Sequence, residues 1–192
     1  LLAKDIVFEI AEYAQNLAKK NGCKVLGDLT TNGFLLDIKT LTRLVELKQN
    51  SFQISIDGDK ESHDTTRLTR NGKGSFDKIW SRLLDAAATD LDFKITLRIH
   101  ITDLNHASVL KFCKRYDETL FNDSRFQLFF KAIDNLGGDN QDTIQILTSK
   151  KTAKDLVKEL TNHYSDKSKN ISKKGHYICY AGKPNSLGIR AN

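Results

Sequence analysis

Apolar residues at Ile6, Ile10, Tyr13 and Leu17 recur with the spacing of one helical face, which predicts a helix over 4–20 that packs through that stripe. Gly22 supplies a C-terminal stop. A strand is expected over 24–31, closed by the turn pair Asn32-Gly33, and then a short helix with Leu41, Leu44, Val45 and Leu47 on its apolar side. Phe52, Ile54 and Ile56 alternate with Gln53, Ser55 and Asp57, the period of a strand with one polar face. A polar loop leads to Ser75, which reads as the N-cap of a helix carrying Phe76, Ile79, Trp80, Leu83, Leu84 and Ala87 inward.

Over 93–102 the alternation is stricter. Phe93, Ile95, Leu97, Ile99 and Ile101 share one side, and Lys94, Thr96, Arg98, His100 and Thr102 the other. A helix near 106–120, a strand near 125–133, a glycine-containing loop at 135–143 and a helix at 150–163 complete the series. Helices and strands thus take turns, as βα units around a parallel sheet do. Strands buried on both faces would be apolar throughout. Two polar strand faces instead predict a curved sheet whose apolar side meets the helices and whose polar side lines a lumen, with ligands at the C-terminal strand ends. The expected fold is α/β, a partial (β/α) barrel of the TIM-like kind.

Composition narrows the classes. The 192 residues are 39% hydrophobic and 28% charged, with no apolar run of membrane-spanning length, so the chain reads as globular, neither disordered nor collagenous. The net charge of +6 is scattered rather than blocked, and no basic stripe with interleaved aromatics favours a nucleic-acid partner. Cys23, Cys113 and Cys179 stand far apart, which fits a reduced, cytoplasmic chain and no paired metal knuckle. The opening Leu1-Leu2 and the closing Ile189-Arg190-Ala191-Asn192 are read as the cut ends of a fragment. Residues 1–164 form the expected core, 165–175 a charged linker, and 176–192 the start of another module.

The segments Leu29-Thr30-Thr31-Asn32-Gly33-Phe34-Leu35-Leu36, Ile54-Ser55-Ile56-Asp57-Gly58, His63-Asp64-Thr65-Thr66-Arg67 and Asn71-Gly72-Lys73-Gly74-Ser75-Phe76-Asp77, in this order, resemble the radical S-adenosylmethionine (SAM) enzymes. Cys179-Tyr180-Ala181 and the residues after it resemble the opening of the SPASM module that follows the barrel in peptide-modifying members such as anaerobic sulfatase maturases. The resemblance implies a 4Fe–4S cluster that reductively cleaves SAM, a 5′-deoxyadenosyl radical that takes hydrogen from a peptide or protein side chain, and auxiliary iron–sulfur clusters. The family's Cys-x3-Cys-x2-Cys cluster loop is missing here, so the ligands of the SAM cluster lie outside this chain and the fragment itself is expected to be inactive. A sheet that lacks its first barrel strand has an open edge, through which the fragment is expected to self-associate.

The resemblance also assigns candidate residues, each with a plainer alternative. Ser55 and Asp57 face SAM, or belong to a strand-ending Asp-Gly turn. Arg67 holds a carboxylate of SAM or substrate bidentately, or is a loop cation. Asn32 meets polar groups of SAM, or only shapes its turn. Arg98 points into the lumen and is either a ligand clamp or half of an internal ion pair with a residue such as Asp57. Asn105 is a SAM contact by analogy, and Leu128 either packs on the adenine or is core. Cys179 is the one cysteine assigned to iron, as an auxiliary-cluster ligand; Cys113 is read as inert core, and His63 as loop support. The competing reading of the whole is a non-catalytic α/β binding domain with a basic surface.

Overall fold

The computed structural model describes residues 1–133 and 150–167. In chain order the elements are α1 (Lys4–Lys20), β1 (Asp28–Thr31), α2 (Ile38–Glu46), β2 (Ser51–Ile56), α3 (Lys60–Thr66), α4 (Phe76–Ala87), β3 (Lys94–Ile101), α5 (His106–Thr119), β4 (Phe126–Ala132) and α6 (Lys150–Lys167). The four strands are all parallel, in the order β1-β2-β3-β4. The α/β class and the parallel sheet expected from the sequence are therefore present, as an open four-stranded sheet among the described residues. Residues 165–167, expected in the linker, continue α6, and the rest of that linker, the module at 176–192 and Cys179 lie outside the described residues.

The strand alternation has the expected consequence. Phe52, Ile54 and Ile56 of β2 and Ile95, Leu97, Ile99 and Ile101 of β3 are buried, joined by Leu41 and Leu44 of α2, Phe76, Ile79 and Leu83 of α4, and Val109 and Phe112 of α5. One apolar sheet face under helices is thus the core, and burial of each large side chain contributes roughly 1.5–3 kcal/mol. The intervening residues form the polar face. Because parallel partners point to the same side, register lays Gln53, Thr96 and Gln127 in one row and Ser55, Arg98 and Phe129 in the next.

Three expectations are corrected. The stripe Ile6, Ile10, Tyr13 and Leu17 is 41–69% exposed; α1 instead buries Ala11 and Ala18, with Val7 packed against the core. Small alanines let the helix axis approach closely, and the bulkier stripe is turned outward. The first strand begins at Asp28 rather than residue 24, because Asp28 pairs with Ser51, the first residue of β2, and 24–27 have no strand beside them. Residues 60–66, read as loop, form α3. That helix has no apolar stripe for periodicity to detect; the residue it buries is His63.

Ser75 does precede α4, but its hydroxyl does not cap the helix. The cap comes from Asp64, whose Oδ1 accepts the backbone N–H groups of Ser75 and Phe76 at 2.8 and 2.9 Å. A carboxylate there satisfies orphan donors and complements the helix dipole. Gly58, just past β2, holds φ +102°, and a Cβ on it would come within 2.7 Å of Ser108 Oγ. Only glycine passes this corner without strain, and it lets α5 close on the strand end.

Candidate functional site

The C-terminal ends of β2 and β3 meet in a cluster centred on Asp57. Arg67, the residue that ends α3, donates to both carboxylate oxygens, Nε to Oδ2 at 2.7 Å and Nη2 to Oδ1 at 3.1 Å. Thr66 Oγ1 donates to Oδ2 at 2.8 Å, and His100 Nδ1 lies 2.9 Å from Oδ1. Burial alone would raise the pKa of Asp57; the hydrogen bonds from His100, Arg67 and Thr66, with the Arg67 charge, outweigh it and hold the carboxyl well below the usual carboxylate range. Asp57 is thus an ionised acceptor with its lone-pair positions occupied.

His100 lies 3.2 Å from Arg67 Nη2 through the same Nδ1 that faces Asp57. One nitrogen cannot both accept from the guanidinium and donate to the carboxylate. A bare Nδ1 would set its lone pair against that of the carboxylate, so the proton sits on Nδ1 and the 3.2 Å approach is only a contact.

Behind this pair, Asn105 is buried and spent on backbone. Its Nδ2 donates to Asp57 O at 3.2 Å and His100 O at 2.9 Å, and its Oδ1 accepts from Thr102 N–H at 2.8 Å. It fastens the ends of β2 and β3 together. His63 is fully buried: its Nδ1 accepts from Asp57 N–H at 3.4 Å, and its Nε2 donates to Ser75 Oγ at 3.1 Å. Ser75 Oγ in turn donates to Arg67 O at 2.6 Å. Every role in that chain is consistent with a neutral imidazole, so His63 supports the loop, as the sequence suggests, and Ser75 is not poised as a nucleophile.

Desolvation lowers the pKa of His63, against the pull of Asp57. A folded-state value below the ordinary 6.5 contributes stability that is complete above 6.5 and lost as pH falls through the depressed value. Asp57 acts in the same direction lower down, its contribution present above its ordinary 3.8 and lost as pH falls through the depressed value. Denaturant midpoints are therefore expected to fall as pH drops below 6.5 and to fall again below 3.8, and His63→Gln to flatten the first of these limbs.

Arg98 does not pair with Asp57, contrary to one of the two expected roles. Its Nε is sealed from solvent with no hydrogen-bond partner, and among the described residues its guanidinium has no ion pair. Ser55, its register neighbour on β2, has an unpartnered hydroxyl among the described residues. On the other side stands Phe129, 47% exposed on an otherwise polar face. Leu128 falls on the opposite, helix-facing side, registered with Leu97 and packed against the core. A shift of one residue reverses the face of a strand side chain, so the face shows an aromatic ring, not the leucine. Asn32 is exposed at the C-terminal end of β1, and its Oδ1 accepts Phe34 N–H at 3.2 Å, closing the turn.

The polar face thus gathers Ser55, Asp57, Arg67, Arg98, His100 and Phe129 at one end of the sheet, with Asn105 fixing the strand ends beneath. His100 and Phe129 were not singled out from sequence; the alternation over 93–102 placed His100 on this face, and the alternation of β4 with its register against β3 places Phe129 there. Cys113 is buried on α5, and burial pushes its thiol up to about 11, which fits inert core. Among the described residues no group of three His, Cys, Asp or Glu side chains is placed to hold a metal. No described helix is long and apolar enough to cross a membrane.

A parallel α/β sheet with polar groups gathered at the C-terminal strand ends fits the resemblance read from the sequence, and solved structures are similar to this chain. Native anSMEcpe, an anaerobic sulfatase-maturating enzyme solved with bound AdoMet, is similar to this chain at 27% identity and a TM-score of 0.54, over 69% of this chain and 35% of that one. The hexahistidine-tagged form of anSMEcpe, also with bound AdoMet, gives 26% identity and 0.54 over 69% and 33%. The chain therefore spans about a third of the length of the structures it matches. No family model matches, and no curated protein does.

Proposed function

We propose that this chain is the SAM-binding part of a radical SAM enzyme that modifies a peptide or protein side chain, its sheet forming part of a (β/α) barrel. The observation that carries the reading is Arg98. A cation whose Nε is cut off from water and left without a partner is costly unless an anion completes it. The residues present fit SAM. Arg98 would hold its carboxylate, Ser55 and Asn32 would bond its polar groups, and the exposed ring of Phe129 would stack on its purine. SAM, when bound, would supply the group that radical chemistry acts through. The described residues do not fit an iron–sulfur cluster, so the chain's own share is to bind, orient and shield the cofactor. Cys179, in a SPASM-like module, is proposed as an auxiliary-cluster ligand, and the open edge of β1 as a surface for self-association.

The competing reading is a non-catalytic α/β binding domain that holds its ligand without cleaving it. Anaerobic reconstitution of the longer protein with iron and sulfide, followed by SAM and a reductant, separates the two. The enzyme reading expects protein-dependent 5′-deoxyadenosine; a folded, iron-loaded protein that forms none would leave only the binding domain.

A further inference from the structure

Asp57 is closed to any ligand, because Arg67, Thr66 and His100 already occupy its two oxygens. What it determines is the state of His100. With the proton on Nδ1, the lone pair of the ring lies on Nε2. That nitrogen has no hydrogen-bond partner among the described residues and is not among the buried atoms left without one, so it is open to solvent. The ring is otherwise held firmly: its side chain is only 16% exposed, Asp57 grips one nitrogen, and Asn105 grips its carbonyl. A fixed imidazole with one free acceptor, on the same strand face as Arg98 and Ser55, is a preorganised contact for a hydrogen-bond donor.

We propose that His100 binds the ligand of this face by accepting a hydrogen bond at Nε2 from an O–H or N–H group, with Asp57 as the positioning residue that fixes the tautomer. The proposal rests on the reading that the face binds SAM, whose ribose hydroxyls and α-ammonium are both donors of this chemistry. Arg98 takes the anionic group and His100 the donor, so the two side chains read opposite features of one ligand.

Long-range 1H–15N spectra of the histidine-labelled 192-residue chain test it, with SAM, methionine and adenosine as probes. Free protein is expected to show His100 protonated at Nδ1 and bare at Nε2. Saturating SAM should shift the Nε2 resonance in the direction of an accepted hydrogen bond. A like shift with adenosine alone assigns the ribose as donor, and one with methionine alone assigns the ammonium. His100→Asn keeps an N–H towards Asp57 but has no Nε2; it should weaken SAM binding roughly three- to tenfold with little change in Tm. Asp57→Asn should move the proton to Nε2 in a chain that still folds, which a merely structural Asp57 would not do. If calorimetry shows SAM bound while Nε2 stays unmoved, the proposal is overturned and the proposed function stands. If a folded chain binds no SAM, the proposed function fails and this inference with it.

Discussion

Asp57→Ala is expected to lower stability by about 3 kcal/mol and Tm by roughly 10 °C, the largest single effect at this site. Asp57 is 13% exposed at its side chain and Arg67 31%, so the pair is partly withdrawn from water. Deleting the carboxylate strands the guanidinium, Thr66 Oγ1 and His100 Nδ1–H together. An unpaired cation left behind costs more than the pair itself contributes, and for that reason the truncation exceeds a typical surface charge deletion. The same change frees the end of α3 from the end of β2, so SAM binding should fail along with stability. Thermal unfolding compared with Lys111→Ala, an exposed ion pair with Glu61, checks the claim: the control should move Tm by little. Equal, small shifts for both would mean the cluster is only a surface network.

Arg98→Gln is expected to separate stability from binding. A residue kept for the fold loses stability when truncated. Arg98 is half-buried, with a sealed Nε that has no partner, so a neutral amide in its place removes no hydrogen bond or ion pair and should leave Tm little changed. Affinity for SAM should fall about ten- to a hundredfold, the range of a charge-assisted hydrogen-bonded contact. Calorimetry and melting curves on the same samples give both numbers. Lower Tm with unchanged affinity would make Arg98 a structural residue and remove the main support for the proposed function.

These two residues also show how far the sequence could be read. Strict alternation over 52–57 and 93–102 was enough to place Ser55, Asp57, Arg98 and His100 on one polar face, because a period of two leaves no freedom once the apolar side is buried. It could not say which groups pair. Arg98 was the candidate partner for Asp57, and Arg67 takes that place through α3, a helix invisible to periodicity because hydrogen bonds through His63 and Asp64 hold it rather than an apolar stripe. For Leu128 two readings stood open, adenine contact or core, and the structure packs it against the core, while Phe129 was not singled out. Strand β4 sets Phe126, Leu128, Phe130 and Ala132 on one side and Gln127, Phe129 and Lys131 on the other, so Phe129 is the one apolar residue that β4 brings to the polar face. In α1 two apolar faces competed, and the one with small residues took the core.

The central claim is that the polar face binds SAM, and titration calorimetry of SAM into the purified 192-residue chain tests it most directly. Saturable binding at one site, weakened by Arg98→Gln, is the predicted result. A folded chain that gives no saturable heat, or one whose affinity is unchanged in that variant, would contradict it.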